Sequence, residues 1–162
     1  MTELPDPDEY TLTHGEWFED IVLERKRLSP ARTITEADVV NFAGLTGDYS
    51  PIHTDEVMSA GTAFGTRIAH GLLGLCIARA LCMRSNYTYG TGVASLAWER
   101  WEFLKPLRIG DTVRACWWAT EKRESKSNAA VGIINERVLL VNSADQVLQQ
   151  GNHTLMIRRR PS

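Results

Sequence analysis

The segment "GDYSPIH", residues 47–53, puts an acid, a hydroxyl, a proline and an imidazole into one short stretch. A carboxylate at Asp48 can accept a proton and the imidazole of His53 titrates near neutrality, so the pair could bind one water molecule and move its proton. Positions five apart on a straight strand face opposite sides, so the segment must turn if the two are to act together. Pro51 stiffens it and biases Ser50 toward extended backbone. The plainer reading is ordinary turn chemistry, since Gly, Asp, Ser and Pro are the residues that turns use. A free aspartate is a weak base at neutral pH. A base at Asp48 therefore calls for an apolar pocket that raises its pKa.

The chain that must position this pair has 162 residues, 43% of them hydrophobic and 23% charged, the make-up of one ordinary globular domain. Residues 1–15 read as a loose lead-in and 16–162 as the domain. A net charge of −2 lacks the basic excess of a nucleic-acid binder. The clusters "ERKR" (24–27) and "RRR" (158–160) read as solvated strand ends, with a phosphate-bearing ligand as the sharper alternative. Cys76, Cys82 and Cys116 show neither pairing nor metal spacing and read as buried apolar thiols in a reducing compartment. The opening "MTELPDPDEY" has no signal-peptide pattern, so the cytoplasm is the expected location. The longest apolar run falls short of the ~18 residues that span a bilayer.

Three helical segments precede a run of strands. In "TITEADVVNFAGLTG", Thr35 and Asp38 form a capping-box pattern, Val39, Phe42 and Ala43 share a face, and Gly47 is a natural stop. Thr54, Asp55 and Glu56 start a second, shorter helix with acids where the helix dipole favours them. A third begins near His70 and Gly71 and runs through "LLGLCIARALCMR"; it is apolar nearly all round and is expected to be buried on every side. "TVRACWWAT" then alternates, with Val113, Ala115, Trp117 and Ala119 on one face, and "AAVGIINERVLLV" and "QVLQQGNHTLMIR" follow as strands. Helices first and strands afterwards predict an α+β domain whose antiparallel sheet wraps a central helix, a hotdog arrangement. The tryptophans, among them Trp98, Trp101, Trp117 and Trp118, read as sheet and interface residues, and His14 and His153 carry no functional claim.

At this point the sequence resembles the MaoC-like, (R)-specific enoyl-CoA hydratase family of hotdog proteins. The resemblance runs from "WFEDI" (17–21) through residues 33–71 to "FLKPLRIGDTV" (103–113). Its most specific part is the pattern G-D-x-N-P-x-H, met by Gly47, Asp48, Pro51 and His53 and followed at the family's spacing by Ala69, His70 and Gly71. Ser50 stands where the family has Asn; its hydroxyl can still make a local loop hydrogen bond.

The resemblance implies reversible hydration of a trans-2-enoyl thioester to an (R)-3-hydroxyacyl thioester. Asp48 and His53 would bind the water, with Asp48 as the base. The Gly71 N–H, at a helix start where such groups lack internal partners, would hold the thioester oxygen. Ser50 and His70 are further candidates for substrate contact, although His70 fits better as a residue that caps or packs. No metal and no redox cofactor is implied, coenzyme A or acyl carrier protein being part of the substrate. A homodimer is the expected minimum, with the acyl tunnel partly built by the partner and no nucleic-acid or membrane partner. The alternatives are a hotdog acyl thioesterase and a non-catalytic acyl-thioester-binding subunit.

Overall fold

Thr35 and Asp38 cap α1 (Glu36–Thr46) reciprocally: Thr35 Oγ1 accepts from the Asp38 N–H, and Asp38 Oδ2 accepts from the Thr35 N–H at 2.8 Å. Gly47 ends the helix at φ 76°, a left-handed conformation that glycine adopts without steric cost. Val39 and Ala43 are buried and Phe42 packs against the core, as the spacing predicts. The computed structural model describes residues 14–161. Ahead of α1 lie the 3-10 turn Phe18–Asp20 and two short strands, β1 (Arg27–Leu28) and β2 (Arg32–Thr33). After it come α2 (Pro51–Thr54), α3 (Glu56–Ala60), α4 (Gly71–Met83), β3 (Gly92–Phe103), β4 (Thr112–Glu124), β5 (Val131–Asn142) and β6 (Val147–Arg158).

All strands belong to one antiparallel sheet in the order β1-β4-β5-β6-β3, with β2 also paired to β4. Val113, Ala115, Trp117 and Ala119 are fully buried on the face that meets α4, so the alternation of β4 holds along its core half. Helix α4 presses Leu73, Ile77, Ala78, Leu81 and Cys82 onto this face. The architecture is the α+β hotdog arrangement that the order of elements predicts.

Two expectations need correction. Helix α4 is not buried on every side: Leu72, Cys76, Ala80 and Met83 form an exposed flank beside the unpaired edge of β3, because the sheet of one chain covers only one side of the helix. Of the cysteines, only Cys82 is buried; Cys76 lies on that flank and Cys116 is half-buried. Burial pushes the Cys82 thiol well up from its ordinary value. The lead-in reading falls largely on residues 1–13, outside the described residues; the Gly15 N–H donates to the Tyr89 carbonyl at 2.7 Å. The basic clusters are ion-paired in part: Arg27 meets Glu16 at 2.7 Å, Arg159 meets Glu19 at 2.9 Å, and Arg160 meets Asp20 at 2.6 Å.

Under α4 the sheet carries a polar layer that the sequence did not announce. Glu136 of β5 lies opposite His153 of β6, both fully buried, with Nδ1 of the ring 3.1 Å from Glu136 Oε2 and Nε2 2.7 Å from Ser95 Oγ. Trp98 stacks on the same ring at 4.2 Å. A buried polar group without its partner is expensive, whereas an apolar pair of similar shape is not. His153→Leu alone is expected to destabilise the fold by about 1–3 kcal/mol, the cost of leaving a buried polar group unpaired, and combining it with Glu136→Leu to recover most of that loss. Urea unfolding of wild type and the two variants checks this, and it fails if the double variant is no better than the single one.

Candidate active site

After Gly47 reverses the chain, Pro51 takes the first position of α2, where its missing N–H costs nothing, and one helical turn carries His53 back toward Asp48. The turn that the sequence requires is therefore a short helix of its own, ahead of α3, which Asp55 caps through the Met58 N–H at 2.9 Å. The His53 ring is anchored by Nδ1, 2.8 Å from the Ile68 carbonyl. A carbonyl only accepts, so Nδ1 carries the hydrogen and Nε2 of the neutral ring keeps its lone pair. His70 is anchored in the same manner, its Nε2 2.9 Å from the Asp48 carbonyl, which fixes the main chain at the acid. The two rings stack with centroids 3.9 Å apart, and Phe42 of α1 packs on His70 at 5.1 Å.

Asp48 does not sit in an apolar pocket that raises its pKa. It is exposed, and its carboxyl is held below the usual aspartate range because the Ser50 hydroxyl and N–H both donate to Oδ1, at 2.5 and 3.1 Å, with smaller help from His70 and His53. Ser50 thus makes a local loop bond, and it makes it to the acid itself. One polar atom each of Asp48, His53 and His70 fall within 4.8 Å of one another. That spacing admits a cation, but stacked rings send their in-plane lone pairs alongside each other rather than to one point. It suits a single water between the carboxylate and His53 better.

Helix α4 begins beside this pair. Ile68 N–H donates to the Ile52 carbonyl at 3.1 Å and Ala69 N–H to the Leu107 carbonyl at 2.8 Å, which locks the approach to His70 and Gly71. Gly71 is the first residue of the helix, and among the described residues no acceptor takes its N–H. His70 occupies the N-cap position without making a side-chain cap bond, so it packs and anchors but does not cap. A cleft of about 470 Å³ opens here, lined by His53, Ile68, Gly71, Leu72, Phe103 and Gln149 among others, with the exposed Lys105 at its rim. Asp48, Ser50 and His70 do not line it: the first two stand at the surface beside it and His70 lies buried behind His53. Phe103 covers Gly71 so closely that a Cβ there would come within 2.7 Å of its ring. Phe103, Lys105 and Gln149 went unselected in the sequence; the first two lie in "FLKP", whose only signal was the resemblance.

The family model described as MaoC like domain matches residues 20–140. The chain belongs to the MaoC-like dehydratase family. It is similar to an (R)-specific enoyl-CoA hydratase of Rhodospirillum rubrum, 34% identical over 149 residues that span 89% of this chain and 93% of that protein. It is 36% identical over 98 residues to the MaoC protein of Klebsiella aerogenes, a match that covers 60% of this chain but 29% of the relative's length. Among solved structures, a monoamine oxidase regulatory protein of Archaeoglobus superposes with a TM-score of 0.84 at 29% identity, covering 92% of this chain and 98% of that one. A Mycobacterium tuberculosis protein with a double hotdog fold superposes with a TM-score of 0.77 at 17% identity, covering 91% of this chain and 46% of that one, a likeness of fold.

The two bonds from Ser50 generate a titration prediction. Ser50→Ala removes the hydroxyl donor and should move the Asp48 pKa upward, toward the ordinary aspartate value. Carboxyl-carbon NMR of wild type and variant reads the shift directly; an unchanged or lowered value in Ser50→Ala contradicts this account of the loop.

Proposed function

We propose that this MaoC-like protein hydrates a trans-2-enoyl thioester reversibly to the (R)-3-hydroxyacyl thioester, coenzyme A or acyl carrier protein being the handle on the substrate and no metal or redox cofactor taking part. One observation carries the reading: a carboxylate and an imidazole able to share one water stand beside a free N–H at the start of a helix, with His53 and Gly71 facing one cleft. The water donates one hydrogen to the Asp48 carboxylate and the other to His53 Nε2. Its oxygen forms the bond to C3 as a proton passes to the pair, and the C2–C3 π electrons move toward the thioester oxygen. The Gly71 N–H holds that oxygen, assisted by the α4 dipole. The same pair then returns a proton to C2, so hydroxyl and hydrogen arrive from one side. The low pKa of Asp48 favours a division of labour in which Asp48 stays anionic and orients the water while His53 takes the proton.

A homodimer fits the remaining surface. Strand β3 ends the sheet with one side of its twelve-residue backbone unpaired, and Val93, Leu96, Leu72 and Met83 are exposed around it. A long free edge flanked by apolar side chains is the surface that sheet pairing covers. A partner seated there would close the α4 flank and complete the acyl tunnel. The free cysteines fit a reducing, cytoplasmic setting, and no helix among the described residues is long and apolar enough to cross a membrane.

Purified protein is expected to consume enoyl-CoA without releasing free thiol and to yield the R product. An S product, or thiol release, would overturn the reading. Asp48→Asn should lose most of its activity, and equal turnover in that variant would remove Asp48 from the chemistry. Gly71→Pro deletes the proposed oxyanion donor at a position that suits proline and should cost on the order of 10²- to 10³-fold in kcat. Gly71→Ala keeps the N–H but drives a methyl into Phe103. Adding Phe103→Ala should therefore rescue Gly71→Ala and leave Gly71→Pro unrescued; rescue of both would assign the loss to crowding alone.

A further inference from the structure

Gln149 is a buried polar side chain at the inner end of the cleft. It lies on β6, is 2% exposed, and lines the same space as His53 and Gly71. Its amide orientation is decided by one bond, in which Trp101 Nε1–H donates to Oε1 at 3.1 Å. An indole N–H can only donate, so the oxygen end must face Trp101 and the NH₂ end must face away from it. The whole amide lies over Gly74 of α4, where any Cβ would collide with Nε2, Cδ and Oε1. The helix thus leaves room for an amide that its own residues do not satisfy: among the described residues no acceptor takes the Nε2 hydrogens. An amide that lines a cleft and has no protein acceptor can give its hydrogens to a ligand oxygen.

The direction of the substrate follows from the two ends of the cleft. On the reading above, the thioester carbonyl sits at the Gly71 N–H. From there the pantetheine arm must run out to solvent, because the nucleotide or carrier protein it joins cannot be buried. Lys105, exposed at the rim, marks that side and can meet a phosphate. The acyl end is then left to face Gln149. We infer that Gln149 reads an uncharged oxygen on the acyl group, a ketone, amide, ester or hydroxyl oxygen beyond C3, and that a plain alkyl chain is the poorer ligand. No cationic side chain accompanies Gln149 among the residues lining that inner end, so a carboxylate would be desolvated there without a counter-charge. A site built to hydrogen-bond a substrate oxygen discriminates strongly against the analogue that lacks it, since the protein donor is then left unpaired.

This inference rests on the thioester reading of the cleft, so its test uses binding as well as turnover. Calorimetry on the intact protein would compare hexanoyl-CoA with 4-oxohexanoyl-CoA and 5-oxohexanoyl-CoA, saturated ligands that need no chemistry. At least one oxo ligand should bind about 10-fold or more tightly than hexanoyl-CoA. Gln149→Met, similar in length and without a donor, should erase that ratio. Trp101→Phe keeps the ring and removes the bond that orients the amide, and it should shrink the ratio while leaving Gln149 in place. The corresponding trans-2-enoyl thioesters then report the same preference in kcat/KM. Equal affinities for alkyl and oxo ligands in the wild type, or a preference that survives Gln149→Met, would overturn the inference. An oxo preference in binding without turnover would uphold Gln149 as the reader of the acyl group and refute hydration.

Discussion

Helix α4 meets the sheet at Gly74, and the closeness of that approach governs where everything around it can lie. A side chain at residue 74 would strike the Gln149 amide, so the missing Cβ lets the helix settle onto β6 with the amide beneath it. With Leu73, Ile77, Ala78 and Leu81 buried on the same side, the helix has little freedom to rotate or slide. Its first N–H is thereby held at the mouth of the cleft, and the Phe103 ring over Gly71 closes the other side. A backbone donor fixed by core packing needs no side chain to position it and little rearrangement when charge develops in front of it.

The loop with the acid and the imidazole is attached to this helix by hydrogen bonds that use imidazoles as clamps. His70 ties the Asp48 carbonyl to the helix start, Ile68 ties His53 through its carbonyl, and the two rings stack. Each clamp also selects a tautomer, so one set of bonds decides both where His53 lies and which nitrogen faces outward. Ser50 performs the corresponding service for the carboxylate, at the cost of making it a weaker base.

What could be read in the sequence was what local chemistry decides. Thr35, Asp38 and Gly47 mark the ends of α1 because caps are made within a few residues, and Asp55 marks the start of α3 for the same reason, while the single turn of α2 at Pro51 was not foreseen. The alternation of β4 was visible because one face of it is wholly buried. Strand β3 was not delimited, since its register against β6 shifts three times and the irregularity breaks any simple alternation. The Glu136–His153 pair and the Trp101–Gln149 bond join residues 17 and 48 positions apart, and only the pairing of strands brings them together. The ionisation of Asp48 was misjudged because it turns on the rotamer of Ser50. The exposed flank of α4 was misjudged because apolar composition does not say which surface, in which chain, will cover it.

The sheet has two very different ends. On one side β4 is flanked by β1 and β2, two residues each, while on the other the whole of β3 lies open. A ribbon that grows by adding copies needs two edges that can both accept a strand. This one offers a single long edge and a second that is already interrupted by short pieces of its own chain. Edge-to-edge joining through β3 would therefore terminate itself, because two copies would use up the one long free border among the described residues and leave outward-facing sides too short to template another. The stubs β1 and β2, which contribute little to the core, would then be the stop at the end of the line.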